Sequence, residues 1–210
     1  MESSLNYEKI KSCLSAARLS SYEKLARNDE EVLSLYVWNL KISSSLMACL
    51  SLCEVVVRNA VSKALEQEFG KDWIVNERFN RSIIKPRRMD LEKALGRKNN
   101  TDQVIPELPF VFWQSLFTKR FDNFWVDKID QVFPYVGTKD YQKLRLSIYQ
   151  DLEDLRKIRN RIAHHEPIFH QDLLAEYQKI LRIIGYCCQD TVVWIESWQT
   201  FTEVLQSKSK

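Results

Sequence analysis

Apolar side chains recur along this chain at spacings of three and four residues, the period of helices that bury one face. Leu5, Ile10, Leu14 and Ala17 form a short first stripe. Ser20-Ser21-Tyr22-Glu23 fits a capping box, in which a serine and a glutamate three residues later satisfy each other's backbone N–H groups, and predicts a second helix running through Leu25. Asn28-Asp29-Glu30 restarts the pattern. Leu33, Val37, Leu40, Leu46, Leu50, Cys53, Val57 and Ala64 then predict one long helix, or a broken pair, ending at Gly70.

The middle of the chain is less regular. From 71 to 104 it is more polar, with one short helical segment over 89–95 closed by Gly96, so 71–109 reads as an inserted or mobile subregion. Ile105-Pro106-Glu107-Leu108-Pro109 is a proline-set turn. Phe110, Phe112, Trp113, Leu116, Phe117, Phe121, Phe124 and Trp125 follow at helical spacing, which suits a core. With Lys119 and Arg120 interleaved, the same run would also suit a stacking surface for single-stranded RNA. Beyond Pro134 and Gly137, an amphipathic helix is set by Leu144, Ile148, Leu152, Leu155, Ile158 and Ile162. Two final helices are predicted over 173–187 and 192–205, with Asp190 as N-cap between them. No strand pattern and no fixed-period repeat occurs. The expected fold is therefore all-α, a single helical bundle over 1–210 with extra helices and a loop-rich middle region.

Chemistry concentrates where the Ile162 helix ends. Leu155-Arg156-Lys157-Ile158-Arg159-Asn160-Arg161-Ile162-Ala163-His164-His165-Glu166-Pro167 holds two of the three histidines, and His170 follows. On an ideal helix Arg156, Asn160 and His164 share one face while Arg161 and His165 share another. Arg159 lies about 140° from His164, so the two meet on one ligand only if the helix loosens at its end or a neighbour completes the site. Pro167 favours such loosening, because it disfavours helical geometry at Glu166. A guanidinium fork binds phosphate at two points and an imidazole moves protons near neutral pH. Together they suit RNA cleavage, with His164 transferring a proton and Arg159 stabilising the charged phosphorane. With the 2′-hydroxyl as the nucleophile no metal is needed, and DNA would be no substrate. The same basic residues also suit an ordinary helix C-terminus, where each contributes about 0.3 to 1 kcal/mol.

Composition narrows the classes. With 45% hydrophobic and 28% charged residues, the 210-residue chain is of ordinary globular make-up. Four glycines and five prolines leave little material for turns, which implies long helices. A net charge of +3 does not mark a nucleic-acid binder. The clusters Lys85-Pro86-Arg87-Arg88 and Arg97-Lys98 suit phosphate contacts or solvated loops equally. Five cysteines form no C-x-x-C pair, and most sit among apolar residues, as in a reduced cytoplasmic protein. Met1-Glu2-Ser3-Ser4 does not resemble a secretory signal. Ser51, Glu54 and Arg58 interrupt the apolar run over 46–61, so no membrane-spanning helix is expected. No Gly-rich phosphate loop or cofactor motif is present, and adjacent His164, His165 and Glu166 are poorly disposed to share a metal with His170.

Arg159-Asn160-x-x-x-His164 resembles the Arg-Asn-x-x-x-His motif of HEPN domains, and its continuation through His165-Glu166-Pro167 is similar to the form in Abi-like (abortive infection) proteins. Three further runs resemble the same family: Arg18-Leu19, Tyr36-x-Trp38-Asn39, and Glu54-Val55-x-x-Arg58-Asn59-Ala60. Pro109-Phe110-x-Phe112-Trp113 matches its middle region, so the likeness covers most of the chain. The resemblance implies a HEPN-like bundle and a metal-independent endoribonuclease of toxin or antiviral-defence type, without cofactor, acting on RNA in the cytoplasm. It implies Arg159, Asn160 and His164 as catalytic residues, with Glu54, Arg58, Asn59, His165 and Glu166 in support. It also implies a homodimer, and an antitoxin or other regulatory partner. By spacing alone, Glu54 and Arg58 are equally a surface ion pair worth about 0.3 to 0.5 kcal/mol. Two alternatives remain: a non-catalytic HEPN-like module that binds RNA or protein, and a helical adaptor in which the histidines have no role.

Overall fold

The computed structural model describes residues 6–208 apart from Arg97, Asn99 and Lys139. Leu5 of the first predicted stripe and Arg97 of the second basic cluster lie outside the described residues. Every regular element among those described is helical.

Helices α1 (Tyr7–Leu14) and α2 (Ala16–Glu23) precede a 41-residue helix α3 (Asp29–Phe69), roughly 60 Å long at the usual rise per residue. Asn28 opens α3 by accepting the Glu31 N–H, and Gly70 ends it at a φ of 88°, a conformation that glycine adopts without strain. The predicted capping box at Ser20 does not start a helix. Ser15 caps α2 instead, accepting the Arg18 N–H, and Ser20 turns its hydroxyl back onto the Ala17 carbonyl inside that helix.

The core face of α3 is Trp38, Ile42, Leu46, Cys49, Cys53, Val57, Val61 and Leu65, at steps of three and four. Val37 and Leu40, expected on that face, are 46% exposed. The difference arises because Trp38 and Asn39 turn inward, where Trp38 Nε1 donates to the Val204 carbonyl and Asn39 Oδ1 accepts the Ile168 N–H. By length and composition α3 is apolar enough to cross a membrane, contrary to the sequence expectation. In this fold it is the central helix, with α2 and five helices introduced below packed against it.

The middle region carries more structure than its polarity suggested. Short helices α4 (Glu77–Ser82), α5 (Lys85–Leu95), α6 (Thr101–Val104), α7 (Phe110–Ser115), α8 (Asp122–Val126) and α9 (Ile129–Val132) alternate with 3-10 turns. Its apolar residues join the common core, and Trp73 Nε1 donates to Ser62 Oγ of α3 at 3.2 Å. The aromatic stripe is core: Phe112, Trp113, Phe117 and Trp125 are fully buried, and Phe117 stacks on Trp125 at 4.6 Å. Those rings are therefore not a stacking surface for RNA.

The motif helix is α10 (Tyr141–Ala163), and all six residues of its predicted apolar stripe are buried. Antiparallel to it runs α11 (Leu173–Cys187), joined by Arg182 gripping Asp151 at 2.7 and 3.0 Å and by Lys179 on Asp154 at 2.7 Å. From the other side, α7 places Gln114 between Glu153 and Arg156. The last predicted helix is two, α12 (Gln189–Trp198) and α13 (Phe201–Gln206). Gln199 is extended, and its side chain caps the new helix by accepting the Thr202 N–H. Cys188 rather than Asp190 is the α12 N-cap. The helices packed against α3, besides α2, include α7, α9, α10, α11 and α13.

Candidate functional site

Burial of Ile158 and Ile162 fixes the rotation of the last turns of α10, leaving Arg159 and Asn160 half-buried at its edge. The ladder runs one step past Ala163, since the His164 N–H donates to the Asn160 carbonyl at 2.9 Å. His164 is thus directly one turn beyond Asn160 and exposed to solvent. His165 then breaks the helix with a φ of 56°. Its N–H donates to the Ile162 carbonyl at 2.9 Å, and the Glu166 N–H donates to the Arg161 carbonyl at 2.8 Å. These two bonds make a Schellman ending with histidine at the left-handed position that glycine usually fills. The loosening expected from Pro167 therefore occurs two residues earlier.

Four side chains hold the segment that follows. Arg18 of α2 donates to the His165 carbonyl. Arg161 donates to the Pro167 carbonyl at 3.0 Å. Asn39 accepts the Ile168 N–H at 2.9 Å, and the Tyr22 ring meets Phe169 edge to face at 5.1 Å. Arg18 and Tyr22 are one turn apart on α2, and they grip positions 165 and 169. Burial pushes the Tyr22 hydroxyl up to about 12, so it stays neutral in this apolar contact.

Of the residues singled out in the sequence, Arg159, Asn160 and His164 lie in the last turns of α10 and at its C-cap. Among the described residues, the side chains of these three form no ion pair or hydrogen bond, so their donors are open to a ligand. Arg156, expected on the same face, is withdrawn: it chelates Glu153 at 2.8 and 2.9 Å and donates to Gln114 at 3.0 Å. Burial alone would raise the Glu153 carboxyl, but the bonds from Gln114 and Arg156 outweigh it and hold the group below its ordinary value. Glu166 lies 3.7 Å from Arg161 Nε and so belongs to the helix ending. His165 is exposed at the turn itself.

Among the described residues no hydrogen bond or ion pair joins Glu54, Arg58 or Asn59 to Arg159, Asn160 or His164. Cys53, next to Glu54, is fully buried, and burial pushes its thiol upward. Glu54 and Arg58 also form no ion pair among the described residues.

Sequence reasoning gave Arg18 and Asn39 no role, although both stand in runs that carry the family resemblance. Asn39 had a readable signal, an amide next to Trp38 within an apolar stripe. A cleft of about 250 Å³ opens beside the motif, lined by Ser15, Ala17, Arg18, Ser21 and Pro167. A larger open groove of about 470 Å³ lies between α3 and α13 and touches no motif residue. Among the described residues no three His, Cys, Asp or Glu side chains group as a metal site. Comparison with protein-family models, curated proteins and solved structures finds no match to this chain.

Proposed function

We propose that this chain is a metal-independent endoribonuclease of the HEPN type, an abortive-infection or toxin-like effector acting on cytoplasmic RNA. The observation that carries the reading is that Arg159, Asn160 and His164 stand in the last turns and C-cap of α10 with, among the described residues, no hydrogen-bond or ion-pair partner for their side chains. In the reaction the 2′-oxygen attacks phosphorus and the bond to the 5′-oxygen breaks. One proton leaves the 2′-hydroxyl and another reaches the departing oxygen, giving a 2′,3′-cyclic phosphate and a 5′-hydroxyl. His164 moves one of these protons, while the Arg159 fork and the Asn160 amide hold the phosphate oxygens as negative charge builds.

A single neutral imidazole cannot take one proton and give the other at the same moment. Two motifs across a twofold axis supply a base and an acid, and a symmetric pair is the commonest assembly of identical chains. A homodimer joined near the end of α10 therefore belongs to the proposal, as does a partner that restrains the enzyme.

The exposure of His164 and His165 favours a second reading, a non-catalytic module that binds RNA or protein on an open surface. One experiment separates the two. Purified protein incubated with mixed RNA in EDTA should yield fragments ending in 2′,3′-cyclic phosphate, and should leave single-stranded DNA intact. RNA that is retarded on a gel but stays whole would establish the second reading.

A further inference from the structure

The left-handed backbone of His165 is sparsely populated for a residue with a Cβ and persists only where its surroundings hold it. Here the peptide that joins His165 to Glu166 is pinned at both ends. Its N–H donates to the Arg161 carbonyl at 2.8 Å, inside the helix ending. Its carbonyl accepts from Arg18, which is 147 positions away in sequence. That second bond is the only one of the pair that comes from outside α10.

Arg18 is itself firmly placed. Its backbone N–H is capped by Ser15 Oγ at 3.3 Å, and the next residue, Leu19, is fully buried. One turn on, Tyr22 is fully buried between Tyr36 and Phe169, with ring centroids 5.1 Å from each. Hence α2 is a fixed support, and the Arg18 guanidinium reaches from it to the turn of the motif.

We propose that Arg18 is a positioning residue for the motif: by donating to the His165 carbonyl it holds the left-handed turn that sets where the His164 and His165 rings project. It acts through the backbone and does not touch substrate. The consequence for cleavage rests on the ribonuclease reading, whereas the geometric consequence does not.

Two variants test it. Arg18→Met keeps the apolar stem and removes the donor, while Arg18→Lys keeps one donor, which is all a single carbonyl needs. The readout free of activity is the ¹H–¹³C spectrum of the imidazole groups, with His164→Ala and His165→Ala assigning two of the three signals. Arg18→Met should displace the His164 and His165 signals, and Arg18→Lys should return them toward wild type. Signals unmoved in Arg18→Met, or moved alike in both variants, overturn the proposal. In the cleavage assay Arg18→Met should lower kcat about ten- to a hundredfold with KM little changed, as a displaced reactive group does, and Arg18→Lys should keep most of the rate. Wild-type cleavage matched by Arg18→Met also overturns it. A wild-type chain that leaves RNA whole removes the ribonuclease reading, and the spectra alone then decide the role of Arg18.

Discussion

Asn39 and Ile168 stand 129 positions apart and are joined by a buried hydrogen bond of 2.9 Å, from the Ile168 backbone N–H to Asn39 Oδ1. Asn39 is only 3% exposed, so its amide has traded water for this one partner from the segment after the motif. The bond fixes the level of α3 against the end of α10, and with it the placing of everything from His165 to Phe169. Asn39→Ala should therefore cost about 1 to 3 kcal/mol, because it strands a buried N–H as well as deleting a bond. Urea denaturation of the variant checks this, and unchanged stability would mean that Ile168 finds water instead.

His165 should respond in the opposite direction. Its φ of 56° penalises a side chain but not glycine. The greater freedom of glycine in the unfolded chain offsets part of the gain. His165→Gly should therefore raise stability by about 0.5 to 1 kcal/mol, read from the same urea transition. A loss of stability would show that the imidazole makes a contact worth more than the strain.

How much of this was legible beforehand differs from element to element. The stripe from Leu144 to Ile162 is a pure helical period on a half-buried helix, and all six of its residues are buried. The end of α3 at Gly70 and its start after Asn28 were equally plain, because each depends on one local residue. Ser20 to Glu23 misled because a Ser-x-x-Glu spacing recurs by chance, while the real cap, Ser15, requires a positive φ that no sequence pattern announces. Val37 and Leu40 misled because the first turns of α3 take their phase from distant partners of Trp38 and Asn39. Within the site, Arg159, Asn160 and His164 were readable as a spacing. The Arg18 bond was not, since it is wholly tertiary.

The thiols offer a check on the core. Burial pushes Cys49 up to about 11 and Cys187 up to about 12, and drives Cys53 upward as well. Cys188 is drawn the other way by hydrogen bonding to the Thr191 hydroxyl and backbone N–H, and Cys13 is exposed. Since only the thiolate is nucleophilic, iodoacetamide at pH 8 should label Cys13 and Cys188 and spare the other three until the chain is unfolded. Mass spectrometry of the labelled peptides gives the answer; early labelling of Cys53 would contradict its full burial on α3.

At the motif, His164→Ala should lower RNA cleavage about a hundredfold or more, the usual loss when a general acid or base is removed. Arg159→Ala should lower it too, and Arg159→Lys should recover little, because an ammonium lacks the planar fork that spans two phosphate oxygens. The contrast with Arg18, where lysine suffices for one carbonyl, separates a phosphate contact from a backbone contact. His165→Ala should matter less than His164→Ala, since His165 lies beyond the helix turn that carries Arg159 and Asn160. Full cleavage by a folded His164→Ala protein would reassign these roles.

The shared site gives the last expectation. One chain supplies a single His164, and Arg159 is five residues before it, about 140° around the helix. The structure keeps that helix regular through the His164 N–H, so no unwinding within the chain swings Arg159 towards His164. A second motif facing the first across a twofold axis brings another arginine and another imidazole to the same phosphate. In a dimer of one wild-type and one His164→Ala chain, no site then has both an acid and a base. Such a mixed dimer, purified with two different affinity tags, should keep well under half of the wild-type rate. If it kept half, or if the wild-type protein cleaved RNA at full specific rate at dilutions where it is a monomer, each chain would carry a complete site. Proton transfer at the second oxygen would then fall to water or to a group other than His164 of the same chain.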